Sequence, residues 1–157
     1  MQIIYRTLNY VIPCLIFFLV ACSPKEEGTL IGTWVNEDLE VAITSFRGEE
    51  GKDSLLTVKP NEWETKLRIQ PIQTTYNEDN TWESNYFDLN GNNVFKTKGT
   101  WWSRSDTLFM HQNNPKDELN YYFFTIKGNK ANFKTTIDWD SDGEADDEYN
   151  GWQKRMK

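Results

Sequence analysis

Sulfur and imidazole are scarce in this chain: its 157 residues hold two cysteines, one histidine and three methionines. Both cysteines, Cys14 and Cys22, stand within the first 22 residues, so the rest of the chain has no thiol and no disulfide can staple it. With His111 alone, zinc schemes built on several histidines or on Cys/His sets are excluded, and a Ser/His/Asp triad would depend wholly on that one ring. His111 stands beside Gln112, Asn113 and Asn114, the setting of a solvated polar side chain. No Gly-rich phosphate loop is present, and the many carboxylates fall at no spacing that selects a catalytic pair. No catalytic residue is therefore assigned, and a carboxylate-dependent hydrolase stands behind the binding readings below. Positive charge is also short, with 17 Lys and Arg against 24 Asp and Glu, which argues against nucleic acid as a partner. The main apolar run, residues 12–21, is broken by Pro13 and falls short of the roughly 20 residues needed to cross a bilayer.

The first 21 residues have the build of a secretory leader. Arg6 supplies its only charge, an apolar stretch follows, and small Ala21 precedes the cut. Leu19, Val20, Ala21 and Cys22 resemble the bacterial lipobox, the sequence read by the lipoprotein signal peptidase. The resemblance implies removal of residues 1–21, a diacylglyceryl group on the Cys22 sulfur, and acylation of the new amino group. At about 0.8 kcal/mol per buried methylene, two or three such chains hold a protein on a membrane that it does not span. Ser23 in place of Asp resembles the sorting signal for the outer membrane, and Lys25, Glu26 and Glu27 resemble the short export signal of Bacteroidetes-type surface lipoproteins. Surface display is the preferred expectation, with the periplasmic face as the alternative. Residues 22–29 then form a lipidated tether and residues 30–157 one domain, expected to be monomeric. The 136 residues left after cleavage carry 16 bases against 24 acids, a net charge of −8.

The body of the chain reads as strands throughout. Short runs rich in Thr, Tyr, Phe, Trp, Val and Ile cover residues 30–36, 40–46, 54–58, 64–76, 81–88, 94–103, 107–112, 119–127, 130–139 and 149–155. Asn90-Gly91, Gly128-Asn129 and Ser105-Asp106 suit tight hairpins. No stretch shows a helical period, and Pro71 marks an edge, bend or bulge. In residues 130–139, Ala131, Phe133, Thr135, Ile137 and Trp139 share one face while Lys130, Asn132, Lys134 and Asp138 share the other. Strands joined in sequence order by short links predict an all-β, antiparallel up-and-down meander, closed into a small barrel so that no edge is left exposed.

Leu30, Ile31, Gly32, Thr33 and Trp34 resemble the Gly-x-Trp opening of lipocalins and of small lipocalin-like lipoproteins. The resemblance implies that Trp34 closes the base of the barrel and that an Arg near the end of the last strand, here Arg155, lies across its ring. Gly99, Thr100 and Trp101 suggest a second close packing of the same kind. The chain lacks a recognisable Thr-Asp-Tyr element and a C-terminal helix, and it is shorter than typical lipocalins. Two binding readings follow. In one, an interior lined by Trp34, Trp82, Tyr86, Phe95, Trp101, Tyr121 and Phe133, with Ile43, Leu67 and Ile69, holds a small apolar ligand. In the other those side chains fill the centre and the barrel works through its outer surface, where Trp102, Tyr122 and Phe124 are the place to seek a protein or glycan partner.

Asp138-Trp139-Asp140-Ser141-Asp142-Gly143-Glu144-Ala145-Asp146 resembles a calcium loop of the Asp-x-Asp-x-Asp-Gly kind. Hard oxygen ligands must converge on one point, so Asp138, Asp140 and Asp142 project inward, the glycine permits the turn, Glu144 offers its carbonyl and Asp146 a carboxylate. Tyr149 stands where a bidentate Glu closes an EF-hand, leaving closure to Asp147 or Glu148. The segment 138–148 holds seven acids and no base, and without it the mature chain has 17 acids against 16 bases. Calcium in a structural role is the expectation, with a solvated acidic hairpin as the alternative.

Overall fold

Nine antiparallel strands account for most of the described residues, 28–157, in a computed structural model. The leader, the lipobox, Cys22 and the Lys25-Glu26-Glu27 signal lie outside the described residues. The strands are β1 (Gly32–Ile43), β2 (Ser54–Val58), β3 (Gln73–Tyr76), β4 (Thr81–Phe87), β5 (Asn93–Arg104), β6 (Thr107–Asn114), β7 (Glu118–Lys127), β8 (Lys130–Ile137) and β9 (Asp147–Arg155). β3 to β9 follow one another as a meander, and β1 pairs with both β3 and β9, closing eight strands into a barrel. The ninth, β2, pairs only with the second half of β1. The all-β up-and-down barrel expected from the sequence is therefore the observed architecture.

Two departures lie at the N-terminal side of the barrel. The separate strands expected over 30–36 and 40–46 are one strand, β1, interrupted by a bulge between Asn36 and Leu39. The bulge switches the inward phase from even to odd positions: Trp34 and Asn36 are buried before it, and Leu39, Val41 and Ile43 after it. Glu37 and Asp38 are thereby turned outward, where Lys130 lies 2.6 Å from Glu37 and Lys59 3.3 Å from Asp38. The strand expected over 64–76 is instead a single helical turn, α1 (Trp63–Lys66), a connection through Pro71, and β3. Trp63 drives this turn inward, since its ring is buried and its Nε1 donates to the Glu37 carbonyl at 2.7 Å. One turn is too short to show a period.

Two apolar clusters divide the interior. At the base, Leu30, Trp34, Tyr76, Trp82, Trp101, Leu108, Met110, Ala131 and Phe133 pack together. At the other end Leu39, Val41, Ile43, Val58 and Trp63 form a second cluster, joined by Leu67, Ile69 and Ile72. The base is fastened as the Gly-x-Trp opening implies. Arg155 lies over the Trp34 ring at 4.3 Å from its centroid, and its guanidinium donates to the Ile31 and Thr29 carbonyls. Trp34 itself is fully buried and donates from Nε1 to the Leu30 carbonyl at 2.7 Å. Gly32 has a φ of 123°, and a Cβ there would stand 2.7 Å from Arg155 Nη1. Gly99 sits at a register shift where a side chain would run into the His111 carbonyl of β6.

Removing the fastening should loosen the whole barrel. Arg155→Ala is expected to cost about 2 kcal/mol, lowering Tm by roughly 6–10 °C, with Arg155→Lys in between because it keeps the charge and loses the forked hydrogen bonds. An unchanged melting temperature for Arg155→Ala would contradict this role.

Candidate functional site

Between the two apolar clusters the interior is polar rather than greasy. A cavity of about 160 Å³ is lined by fifteen residues, of which eleven carry a hydroxyl or amide and none a charge. Asn36, Thr74, Ser84, Thr97 and Gln153 are buried polar residues of this wall, and Tyr76, Tyr86, Tyr122 and Tyr149 add four phenols. They reach it by simple alternation: Thr97 is on the face of Gly99 and Trp101 in β5, and Ser84 on the face of Trp82 in β4.

Most of these groups are partnered across strands. The Thr74 and Ser84 hydroxyls are 2.7 Å apart, and Gln153 Nε2 donates to Asn36 Oδ1 at 3.0 Å. Two partnerships are incomplete. Gln153 Oε1 is buried with no donor, and the Tyr76 hydroxyl has only the weak acceptor Met110 Sδ, at 3.7 Å. Burial, and then the neighbouring phenols, hold the Tyr76 and Tyr149 hydroxyls far above the ordinary tyrosine range. Burial pushes Tyr122 up to about 12, with Tyr86 and Glu118 adding to it, and also raises Tyr86 against an opposing hydrogen bond from Thr97. The phenols keep their protons at any physiological pH, so the cavity offers neutral donors.

The residues expected to line the interior divide five ways. Trp82, Tyr86 and Phe133 are on the cavity wall. Trp34 and Trp101 lie in the base cluster and contribute to the floor by packing; Trp101 meets Tyr76 edge to face at 5.6 Å. Phe95 stands at the rim, 47% exposed, edge to face with Tyr86 at 5.2 Å. Tyr121 is on the outer face, 49% exposed, and its placement in the interior is corrected. The same correction turns Tyr122 and Phe124, expected outside, into the barrel, where both pack on the base cluster. β7 is aromatic on both faces, so alternation cannot set its phase; register does, pairing Tyr122 with buried Leu108 and Phe124 with buried Phe133. Trp102 is outside as expected. Ile43, Leu67 and Ile69 belong to the upper cluster.

At the rim, the β8–β9 connection carries the acidic loop. Carboxylate oxygens of Asp138, Asp140 and Asp147 lie within 4.8 Å of one another, so Asp147 joins two of the expected ligands while Asp142, Glu144 and Asp146 stand outside that trio. The loop is wound on its own acids. Asp138 accepts from the Asp142 and Gly143 N–H groups at 3.0 and 3.1 Å, and Asp142 accepts from the Glu144 N–H at 2.9 Å. Fully buried Asp147 accepts from the Thr44 N–H at 2.9 Å and the Trp139 N–H at 2.7 Å, and Asp140 accepts from the Arg47 N–H. The β1–β2 connection is thus strapped to the acidic loop.

Asp146 is the strained member, since its Oδ1 is buried without a donor. Loss of water, and next the charges of Asp147, Asp142 and Asp140, hold its carboxyl above the ordinary range. His111 lies away from the cavity on the outer face, where its Nε2 is 2.6 Å from Asp117. No protein-family model matches the chain, and no curated protein matches it.

A carboxyl whose folded pKa is raised lowers stability as pH climbs from the unfolded-state value through the folded one. In metal-free buffer, Asp146→Asn is therefore expected to raise Tm at pH 7 and to lose that advantage below the ordinary carboxylate range. Equal melting of the two proteins at pH 7 would contradict the strain assigned to this group.

Proposed function

We propose that this is a lipoprotein of lipocalin-like type, anchored through acyl chains on Cys22 to the outer membrane, whose barrel binds a compact, uncharged, hydrogen-bonding molecule without transforming it. The observation that carries the reading is the unpartnered Gln153 Oε1 on the wall of a cavity rich in neutral donors. A buried carbonyl left without a donor costs about 1–3 kcal/mol, which a ligand hydroxyl or amide would recover. Size narrows the ligand further. A cavity of about 150 Å³ accepts benzene, so this one suits a single ring and is smaller than the ~300–1,000 Å³ pockets of larger ligands. Trp82 and Phe133 supply apolar surface for the ring, and the phenols and amides supply its hydrogen bonds.

Phenol is a suitable probe, with one ring and one hydroxyl. Wild-type protein should show saturable phenol binding by titration calorimetry or NMR. Ser84→Leu, which puts an isobutyl group into the cavity, should abolish it, and Thr97→Val, which keeps the volume and removes a hydroxyl, should weaken it. Wild-type protein that takes up no probe would favour the filled barrel working through its outside.

The acidic loop is proposed to hold calcium as a structural ion, with Asp138, Asp140 and Asp147 at its centre. The trio of oxygens supports this, as does the mutual repulsion at Asp146, which a cation offsets. Each carboxylate keeps acceptor capacity beyond its backbone partners. Strapping through Thr44 and Arg47 would pass the ordering to the β1–β2 connection. Calcium at one hundred times its Kd should stabilise the fold by about 2.7 kcal/mol relative to chelator, and the shift should vanish in Asp140→Asn. Identical melting in calcium and in chelator would remove the ion.

A further inference from the structure

The outer wall of β5, β6 and β7 carries an aromatic row with no partner inside the barrel. Trp102 is cross-strand from Phe109, and Phe109 from Tyr121. The Trp102 and Phe109 rings stack at 5.2 Å with planes 8° apart, and Tyr121 meets Phe123 edge to face at 6.3 Å. Trp102, Tyr121 and Phe123 are each about half exposed, at 45%, 49% and 53%. Such a contiguous exposed patch calls for something to cover it.

Its position says what. Gly28, the first described residue, lies against Ile126 of β7, at the base end of the barrel. The patch is at the same end: Phe123 is three residues from Ile126, about 10 Å along the strand, and Trp102 is two residues from the end of β5. Six residue-to-residue steps lead from Cys22 to Gly28, a span of at most about 21 Å. A bilayer holding Cys22 is therefore within reach of this wall. Charge agrees, because exposed Arg104, Lys127 and Lys134 surround the patch, and none of the three forms an ion pair among the described residues. These are bases in a domain, residues 30–157, of net charge −7, and the acids beside the patch are Asp106 in the turn after Arg104 and, in a surface groove shared with Tyr121, Phe123 and Lys134, Glu40 and Glu148. Trp and Tyr rings settle at headgroup level, and Lys and Arg attract anionic phosphates.

We infer that the barrel lies down on the anchoring membrane, with Trp102, Phe109, Tyr121 and Phe123 in the headgroup layer and Arg104, Lys127 and Lys134 on the phosphates. The inference rests on the lipoprotein reading only for what keeps the wall near lipid. The full chain purified from cells, bound to vesicles of phosphatidylethanolamine and phosphatidylglycerol brominated near the headgroup end of the acyl chains, provides the test. Tryptophan emission of the wild type should be quenched, and Trp102→Phe should lose roughly half of that quenching or more, since the other indoles are more enclosed. Phe123→Glu should reduce quenching in the same way, with the melting temperature kept because the side chain is exposed. The mass of the purified protein separately reports acylation. Quenching through Trp102 with no acyl mass would retain the docking wall and overturn the lipoprotein reading. Acylated protein whose Trp102 is unquenched would overturn the wall. So would a Trp102 that lipid leaves unchanged while a soluble oligosaccharide shifts its emission, or a patch buried in a dimer by sedimentation; the first would mean a glycan and the second another copy of the chain.

Discussion

The seam between the first and last strands is the constraint on which the rest depends. A meander of eight strands has two edges, and only their mutual pairing turns it into an enclosure. Here β1 meets β9 from Trp34↔Arg155 to Ala42↔Glu148, and the end of that seam is fixed by a guanidinium lying on an indole. Gly32 leaves room for the guanidinium, which donates to the Thr29 and Ile31 carbonyls, and the Leu30 carbonyl accepts from the indole Nε1. One site thus ties the chain's entry into the barrel to its exit. Without disulfides among the described residues, closure of this kind and aromatic packing carry the stability.

Closure also decides what the interior can be. Asn36 faces inward just before the bulge in β1, which then turns Leu39 and Val41 toward a separate cluster. The gap between them is filled by amides, hydroxyls and phenols that bond to one another and leave the Gln153 carbonyl unanswered. Charge is kept out of the cavity: acids gather at the rim, with Asp147 buried there on backbone donors, and bases lie around the aromatic wall at the base. The neutral guest, the cation and the lipid contact that we propose make chemically separate demands, and each would fall to a different part of one barrel.

Much of this was legible in the residues, and the misses within the strands share a cause. Strand content, antiparallel order and closure follow from β-rich runs and short turns, and Arg155 over Trp34 follows from the opening motif. What failed was phase. Alternation reads cleanly where one face is polar, as in β8, but Tyr121 and Tyr122 in β7 are both aromatic, and only pairing with Leu108 and Phe133 through neighbouring residues fixes which looks inward. In β1 the phase itself changes at the bulge, which made one strand look like two. The polar wall carries no apolar signal, because Thr97, Ser84 and Gln153 are residue types common on solvent-facing positions, although the phase of Trp101, Trp82 and Gly151 carried along their strands places them inside. The acidic loop was legible as a cluster, whereas the buried position of Asp147 depends on the distant Thr44.

The most direct test of a closed barrel built around a neutral, hydrogen-bonding guest is a high-resolution crystal structure of protein extracted from its own membranes without denaturation. The account predicts density for a single ring-sized molecule whose hydroxyl or amide donates to Gln153 Oε1. Density consisting only of ordered waters, with the Gln153 carbonyl satisfied by one of them, would contradict it.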